Sequence, residues 1–168
     1  MEVPGQKALQ RARHLALDYL ARRDRSVDEV REKLLSKEFP ETVVEQVVEG
    51  LQKAALLDDR NFARRWIESK MRNRPSGPAR ICLDLQRRGV ERTIVEEILE
   101  EFKGVLGTEA EATALLRGQQ WRYAGLEKTR AQRRMAGYLA RRGYQLEIVY
   151  KAVKTVWEEM EQDDLEGS

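Results

Sequence analysis

The chain has 168 residues, with 31 Lys and Arg against 29 Asp and Glu, a formal net charge of +2. That length allows one ordinary domain or several small units sharing a core, and 41% hydrophobic residues exclude a disordered chain. No apolar run approaches the ~18 residues of a membrane span. With no apolar stretch at the N-terminus no signal peptide is expected, and the single Cys82 excludes an internal disulfide framework and fits a reducing cytoplasm.

Apolar spacing is helical nearly everywhere, and no stretch alternates with period two for long. A first helix is expected over about 8–23, with Leu15, Tyr19 and Leu20 on one face. Ser26-Val27-Asp28-Glu29 has the spacing of a capping box at the next helix start. Val43, Val44, Val47, Val48 and Leu51 form the stripe of a third helix. A second leading helix, 59–72, should turn Phe62, Ala63, Trp66 and Ile67 to the core and Arg64, Arg65, Glu68 and Arg72 away from it. Arg74-Pro75-Ser76-Gly77-Pro78 is the clearest loop, with Pro78 suited to a first helical position. Gly89 and Gly143 sit where helices would end in the left-handed conformation. Between them, Ile94, Val95, Ile98, Leu99 and Phe102 form another stripe. Thr108 to Glu111 repeats the capping-box spacing ahead of a leading helix over 108–124. The last stripe is Ile148, Val149, Ala152, Val153, Val156 and Trp157.

The stripes superpose. Val30, Leu34, Phe39, Val43, Val44, Val47, Val48 and Leu51 map onto Ile81, Leu85, Val90, Ile94, Val95, Ile98, Leu99 and Phe102 by a shift of 51. A further shift of 54 gives Met135, Leu139, Tyr144, Ile148, Val149, Ala152, Val153 and Val156, so all 24 positions are apolar or aromatic. This predicts an all-α fold of three tandem three-helix repeats, over 1–57, 58–106 and 107–162, with a disordered tail at 163–168. A ~50-residue unit has a small core, so the repeats should stack in an elongated, curved array. Glu38 stands in the first repeat where the others have Gly89 and Gly143.

The small net charge hides an alternation. Net charges run +3 over 1–25, −5 over 26–59, +7 over 60–92, −5 over 93–111, +7 over 112–142 and −5 over 143–168. Of the basic residues 22 are Arg, the side chain that pairs bidentately with phosphate or carboxylate. The basic blocks fall on leading and middle helices, the acidic blocks mainly on third helices. Arg87-Arg88 and Arg141-Arg142 end two middle helices at equivalent positions, with Lys37 their counterpart in the first repeat; the helix dipole alone would also favour cations there. A middle helix, a turn and a third helix look like a helix-turn-helix. Yet Glu45, Glu49, Glu96, Glu97, Glu100, Glu101, Glu158 and Glu159 would repel such a third helix from a DNA groove. Any nucleic acid should instead meet the leading and middle helices through its phosphates.

Chemistry is sparse. There is no Gly-rich phosphate loop and no nucleophile beside an activating base. His14 is the only histidine and reads as a partly exposed side chain; with Cys82 alone beside it, no typical zinc site is expected. Asp58-Asp59 reads as helix capping rather than metal binding, and Cys82 as a semi-buried packing residue. Trp66, Trp121 and Trp157 read as packing residues, with Trp121, among Arg117, Arg122 and Tyr123, the one that could meet a partner. No enzyme, cofactor or metal is expected.

Leu56 to Arg64, Gly77-Pro78-Ala79-Arg80-Ile81 and Arg87-Arg88-Gly89-Val90 closely resemble the RecX family of bacterial recombination regulators. Ala16 to Arg25 with Ser26 to Val30 is similar to that family's first repeat, and Leu139 to Tyr144 to its third. The resemblance runs from about residue 8 to 160. It departs at Arg74 to Pro78, which lacks the family's aromatic, and at Lys37-Glu38-Phe39, where a glycine is usual. The resemblance implies three tandem three-helix repeats and a non-enzymatic, cytoplasmic regulator. Such a protein binds the RecA recombinase, lodges in the groove of its filament on single-stranded DNA, and inhibits strand exchange, ATP hydrolysis and coprotease activity. Its expected partners are the RecA filament and, weakly or indirectly, DNA phosphates; the chain is expected to be a monomer away from membranes. The candidate contact residues are Arg64, Arg65, Lys70, Arg72, Arg74, Arg80, Arg87, Arg88, Arg133, Arg134, Arg141 and Arg142. The alternatives are a helix-turn-helix-like DNA-binding regulator and a repeat scaffold for another protein.

Overall fold

A computed structural model describes residues 4–167, and among these every regular element is helical. The first repeat is α1 (Pro4–Arg22), α2 (Val27–Leu35) and α3 (Glu41–Lys53); the second is α4 (Asp59–Asn73), α5 (Pro78–Arg87) and α6 (Arg92–Glu101). The third is α7 (Glu109–Arg117), a 3-10 turn at Gln120–Arg122, α8 (Lys128–Arg141) and α9 (Leu146–Glu166). None of the 24 register positions is exposed: only Phe39, Ile94, Leu99, Phe102 and Ile148 are half-buried, and the other 19 are buried. The period therefore marks one recurrent packing face.

Two stretches differ from the pattern read in the sequence. The leading helix of the third repeat stops at Arg117, because the chain leaves the α-helical course at Gly118 and turns through the 3-10 segment. α9 runs on to Glu166, so residues 163–166 are helical where a disordered tail was expected. No proline or glycine interrupts that stretch before Gly167.

The chain packs as two compact units. One runs up to Trp66 and takes in Asp84–Ile98; the other comprises Ile67–Leu83 and the residues from Leu99 onward. In the first unit α1 packs against α2 and α3 around Ala12, Ala16, Val30, Leu34, Val44 and Leu51. In the second α9 packs on α7 and α8 around Ala112, Leu116, Met135, Leu139, Ala152 and Val156. The division runs through the second repeat, whose segments are shared between the flanking ones.

The middle helices end alike. Phe39, Val90 and Tyr144 donate their N–H groups to the carbonyls of Leu34, Leu85 and Leu139, and Glu38, Gly89 and Gly143 donate to those of Leu35, Gln86 and Ala140. This is the Schellman turn, which needs a left-handed residue after the helix. Gly89 and Gly143 have φ of 82°, and Glu38 holds the same place at 60° with a side chain that the conformation disfavours. Ala55, after α3, is left-handed too, at 55°, and ends that helix in a turn with no glycine to announce it.

Each of the two glycine turns is seated on the start of the preceding repeat's middle helix. In the first unit the Ser26 hydroxyl donates to the Arg88 carbonyl while its oxygen also caps the Glu29 N–H at 3.1 Å. The Glu29 carboxylate returns to the Ser26 N–H at 3.0 Å, closing the capping box. A side chain on Gly89 would collide with Asp28. In the second unit the Gly77 N–H donates to the Arg142 carbonyl at 2.7 Å and the Ala79 N–H to the Gly143 carbonyl at 3.3 Å. A side chain on Gly143 would strike the Arg80 backbone. These positions match by the repeat register: Ser26 corresponds to Gly77, and Arg88-Gly89 to Arg142-Gly143.

The other caps divide their work. Asp58 accepts from the N–H groups of Arg60 and Asn61, at 2.9 and 3.3 Å, and starts α4. Asp59 instead reaches the N–H of Val27, the first residue of α2, at 2.9 Å. Thr108 caps Glu111, but the Glu111 carboxylate bonds Gly107 and the Tyr144 hydroxyl rather than the Thr108 N–H. Burial, then the bond to Glu111, raises the Tyr144 phenol above its ordinary pKa.

Two stability measurements follow. Replacing Glu38 with Gly removes a left-handed penalty of about 1–2 kcal/mol at some cost in chain entropy, so E38G should gain up to ~1 kcal/mol in urea denaturation. G143A should lose stability in the same assay. Asp59 is half-buried, and desolvation first, then the charges of Asp58, Asp28 and Glu91, raise its carboxyl pKa against the lowering effect of the Val27 bond. A native carboxyl with a raised pKa binds its proton more readily than the unfolded one, so its contribution to stability improves as pH falls through its titration range. Asp59→Asn keeps an acceptor for Val27 and removes the charge. It should melt higher than the parent at pH 7, with the difference shrinking on acidification.

Candidate partner-binding surface

The basic and acidic helices meet one another inside each repeat. Arg31 of α2 pairs with Glu45 of α3 at 2.6 Å, Arg60 of α4 with Glu97 of α6 at 3.0 Å, and Arg117 of α7 with Glu159 of α9 at 2.6 Å. These bonds lower the carboxyl pKa of Glu45 and Glu159 and raise the guanidinium pKa of Arg31, Arg60 and Arg117. Part of the charge alternation is therefore spent within the fold, on exposed pairs that each stabilise little.

The twelve candidate cations separate by environment. Arg88 is structural. Its guanidinium pairs with Glu29 at 2.8 Å and lies 4.0 Å over the Trp66 ring, with the Arg and Glu side chains 30% and 15% exposed. Trp66 stacks in turn on Phe62, centroids 6.2 Å apart. A guanidinium held between an indole face and a carboxylate, with its own carbonyl bonded by Ser26, is part of the seat described above. It has less of its surface available to a partner than the exposed arginines. Arg142 is half-buried and bonds the Tyr138 hydroxyl at 3.1 Å.

Arg65 is exposed but pairs with Asp24 at 2.9 Å, and Arg64 is half-buried and donates to Asn61 at 3.0 Å. Lys70 is half-buried, and Arg80 is exposed. Arg72, Arg74, Arg87, Arg133, Arg134 and Arg141 are exposed and have no carboxylate within 4.0 Å among the described residues. Arg87 and Arg141 match by register. One position earlier than Arg88 and Arg142 on a helix, each points away from the seat that its neighbour occupies.

Three of the twelve share a concavity. Arg133, Arg134 and Arg141 of α8 line a cavity of about 410 Å³ together with Arg122. Arg122 is not among the expected contact residues, and Trp121, read as packing with a partner contact as the alternative, is 73% exposed with Arg122 lying 5.0 Å over its ring. Trp121 thus departs from the packing role expected of it. Both residues lie in the 3-10 segment created where α7 stops, so a reading that carried the helix to 124 misplaced them. The glycines at 118 and 125 were the available signal.

The third helices do not present a basic reading face. Glu45, Glu49, Glu96, Glu97, Glu100 and Glu158 are exposed, most of them paired with cations of the same or a neighbouring helix. Among the described residues no helix is long and apolar enough to cross a membrane.

Comparison with known proteins agrees with the repeat. The first three-helix domain of RecX matches residues 12–51, and its second three-helix domain matches residues 58–99. A regulatory protein RecX from Amycolatopsis mediterranei is 29% identical over 156 residues, covering 91% of this chain and 87% of that protein. The one from Pelodictyon phaeoclathratiforme is 30% identical over 139 residues, covering 83% and 84%. The crystal structure of RecX from Lactobacillus salivarius superposes with a TM-score of 0.81 over 89% of this chain and 97% of that one, at 23% identity. With two three-helix domains matched and a relative 30% identical over most of both chains, the chain belongs to the RecX family of regulatory proteins.

Proposed function

We propose that this protein regulates recombination by binding the filament of the RecA recombinase and inhibiting its strand exchange, ATP hydrolysis and coprotease activity in the cytoplasm. Family membership supports the regulatory role. The observation that carries the contact assignment is the set of exposed arginines without carboxylate partners, on the leading and middle helices and the loop after α4. Arg72, Arg74, Arg87, Arg133, Arg134 and Arg141 have their forks available for carboxylates of a protein groove or for DNA phosphates. The work is done by binding: a protein lodged on the filament opposes the changes that its activities require, and needs no chemistry of its own.

The helix-turn-helix alternative is disfavoured by the same surface. A helix entering the major groove would carry Glu96, Glu97 and Glu100 between phosphates, where their repulsion opposes binding.

The test is RecA's DNA-dependent ATPase with and without this protein, over a salt series. Inhibition that weakens as salt rises is expected, since exposed guanidinium contacts are screened. Arg87→Glu with Arg141→Glu should lose inhibition about 10-fold or more with the melting temperature unchanged. Arg88→Glu should lower the melting temperature, because it places a carboxylate against Glu29. No inhibition by the parent at any salt would end the proposal, and full inhibition by the double variant would end the contact assignment.

A further inference from the structure

The cavity on the third repeat goes beyond a surface for a filament. Arg133, Gly137 and Arg141 follow one another at four-residue intervals, so they lie along one face of α8. Gly137 stands in the helix interior, where glycine costs stability. A side chain there would meet only the Arg141 guanidinium within 4 Å. The missing side chain therefore leaves an open floor between two arginines. Arg122 and Arg134 add two more guanidinium groups, and Tyr123 and Tyr138 supply aromatic walls. No carboxylate lines the cavity, and none of the four arginines has one within 4.0 Å among the described residues. This sets them apart from Arg31, Arg60 and Arg117, each held by a glutamate.

The repeat register explains why such a place is open. Arg133 and Arg134 occupy the positions of Asp28 and Glu29 in the first repeat and of Ala79 and Arg80 in the second. There the start of the middle helix receives the next glycine turn and donates to its carbonyl oxygen. In the third repeat the corresponding residues are exposed arginines. Here α8 begins earlier, at Lys128, so these positions lie within the helix and carry charged side chains, which suit an oxyanion.

We propose that this cavity is a binding site for linked phosphates, such as the oligophosphate chain of a nucleoside di- or triphosphate. Four arginines lining one concavity match several negative charges held close together, and about 410 Å³ lies in the range of small-molecule sites. A nucleic-acid strand carries one charge per phosphate along an extended track, and is better served by a row of cations than by a cluster around one concavity. A nucleobase would find the exposed Trp121 beside Arg122 as a stacking surface. Arg133, Arg134 and Arg141 also belong to the surface proposed for the filament, so this site is tested without RecA.

The test is calorimetric titration of the full chain with inorganic tripolyphosphate, a nucleoside triphosphate, inorganic phosphate and a single-stranded oligonucleotide. Tripolyphosphate and the nucleoside triphosphate should bind at least 10-fold more tightly than phosphate. Arg133→Glu and Arg141→Glu should each weaken them 10-fold or more with the circular dichroism unchanged. Gly137→Ala should weaken binding while raising the melting temperature, which a loss of fold cannot imitate. Tighter binding of the nucleoside triphosphate, reduced to the tripolyphosphate level by Trp121→Ala, identifies a nucleotide as the source; equal binding identifies an inorganic chain. The proposal fails if neither ligand binds at millimolar concentration, or if binding survives the arginine reversals. It also fails if the oligonucleotide binds through these arginines and tripolyphosphate does not displace it. Light scattering that shows self-association abolished by Arg133→Glu would overturn it as well, by assigning the face to another copy of the chain.

Discussion

A three-helix repeat of about fifty residues buries only a small core by itself, and the seating of one repeat's turn on the preceding repeat's helix start adds to it. The turn after a middle helix carries unsatisfied carbonyls and a left-handed residue. The start of a middle helix carries unsatisfied N–H groups and a capping side chain. Bringing the two together lets each end complete the other, as Ser26 does for Arg88 and Gly77 for Arg142. The close approach leaves no room for a Cβ at Gly89 or Gly143. Packing, backbone hydrogen bonding and residue choice are thereby fixed at one place, and the division of the second repeat between two compact units follows from it.

The seat also sorts the charges. Arg87 and Arg88 are adjacent in sequence and chemically identical, yet one is exposed and the other lies between Trp66 and Glu29. The helical step of 100° between neighbours separates a structural cation from one available to a partner. At the second seat the position of Glu29 is taken by Arg80, and backbone hydrogen bonds carry the contact instead. The two seats thus share geometry while differing in electrostatics. A net charge of +2 conceals both this internal use of charge and the uncompensated cluster on α8.

Much of the fold was legible because its signals are local. The 24-position register, the capping box at Ser26 and the left-handed glycines at 89 and 143 each follow from a few neighbouring residues, and the structure has them where the spacing puts them. Contacts over long separations were not legible. Nothing near Arg88 announces Trp66 and Glu29, 22 and 59 residues away. Asp59 reads as a cap for its own helix, and only folding shows that it caps α2 instead. Glu111 likewise has the spacing of a capping box, but Tyr144 competes for its carboxylate. The candidate site was half legible: exposed arginines on leading and middle helices could be named, but Arg122 and Trp121 depend on where α7 stops.

A double-mutant cycle measures directly whether Arg88 is a structural tie rather than a partner contact. Glu29→Gln, Arg88→Met and the double variant would be compared with the parent by urea denaturation. Both side chains are less than one third exposed, so a coupling of about 1 kcal/mol or more is predicted. A coupling indistinguishable from zero would contradict the account, and would return Arg88 to the surface available to a partner.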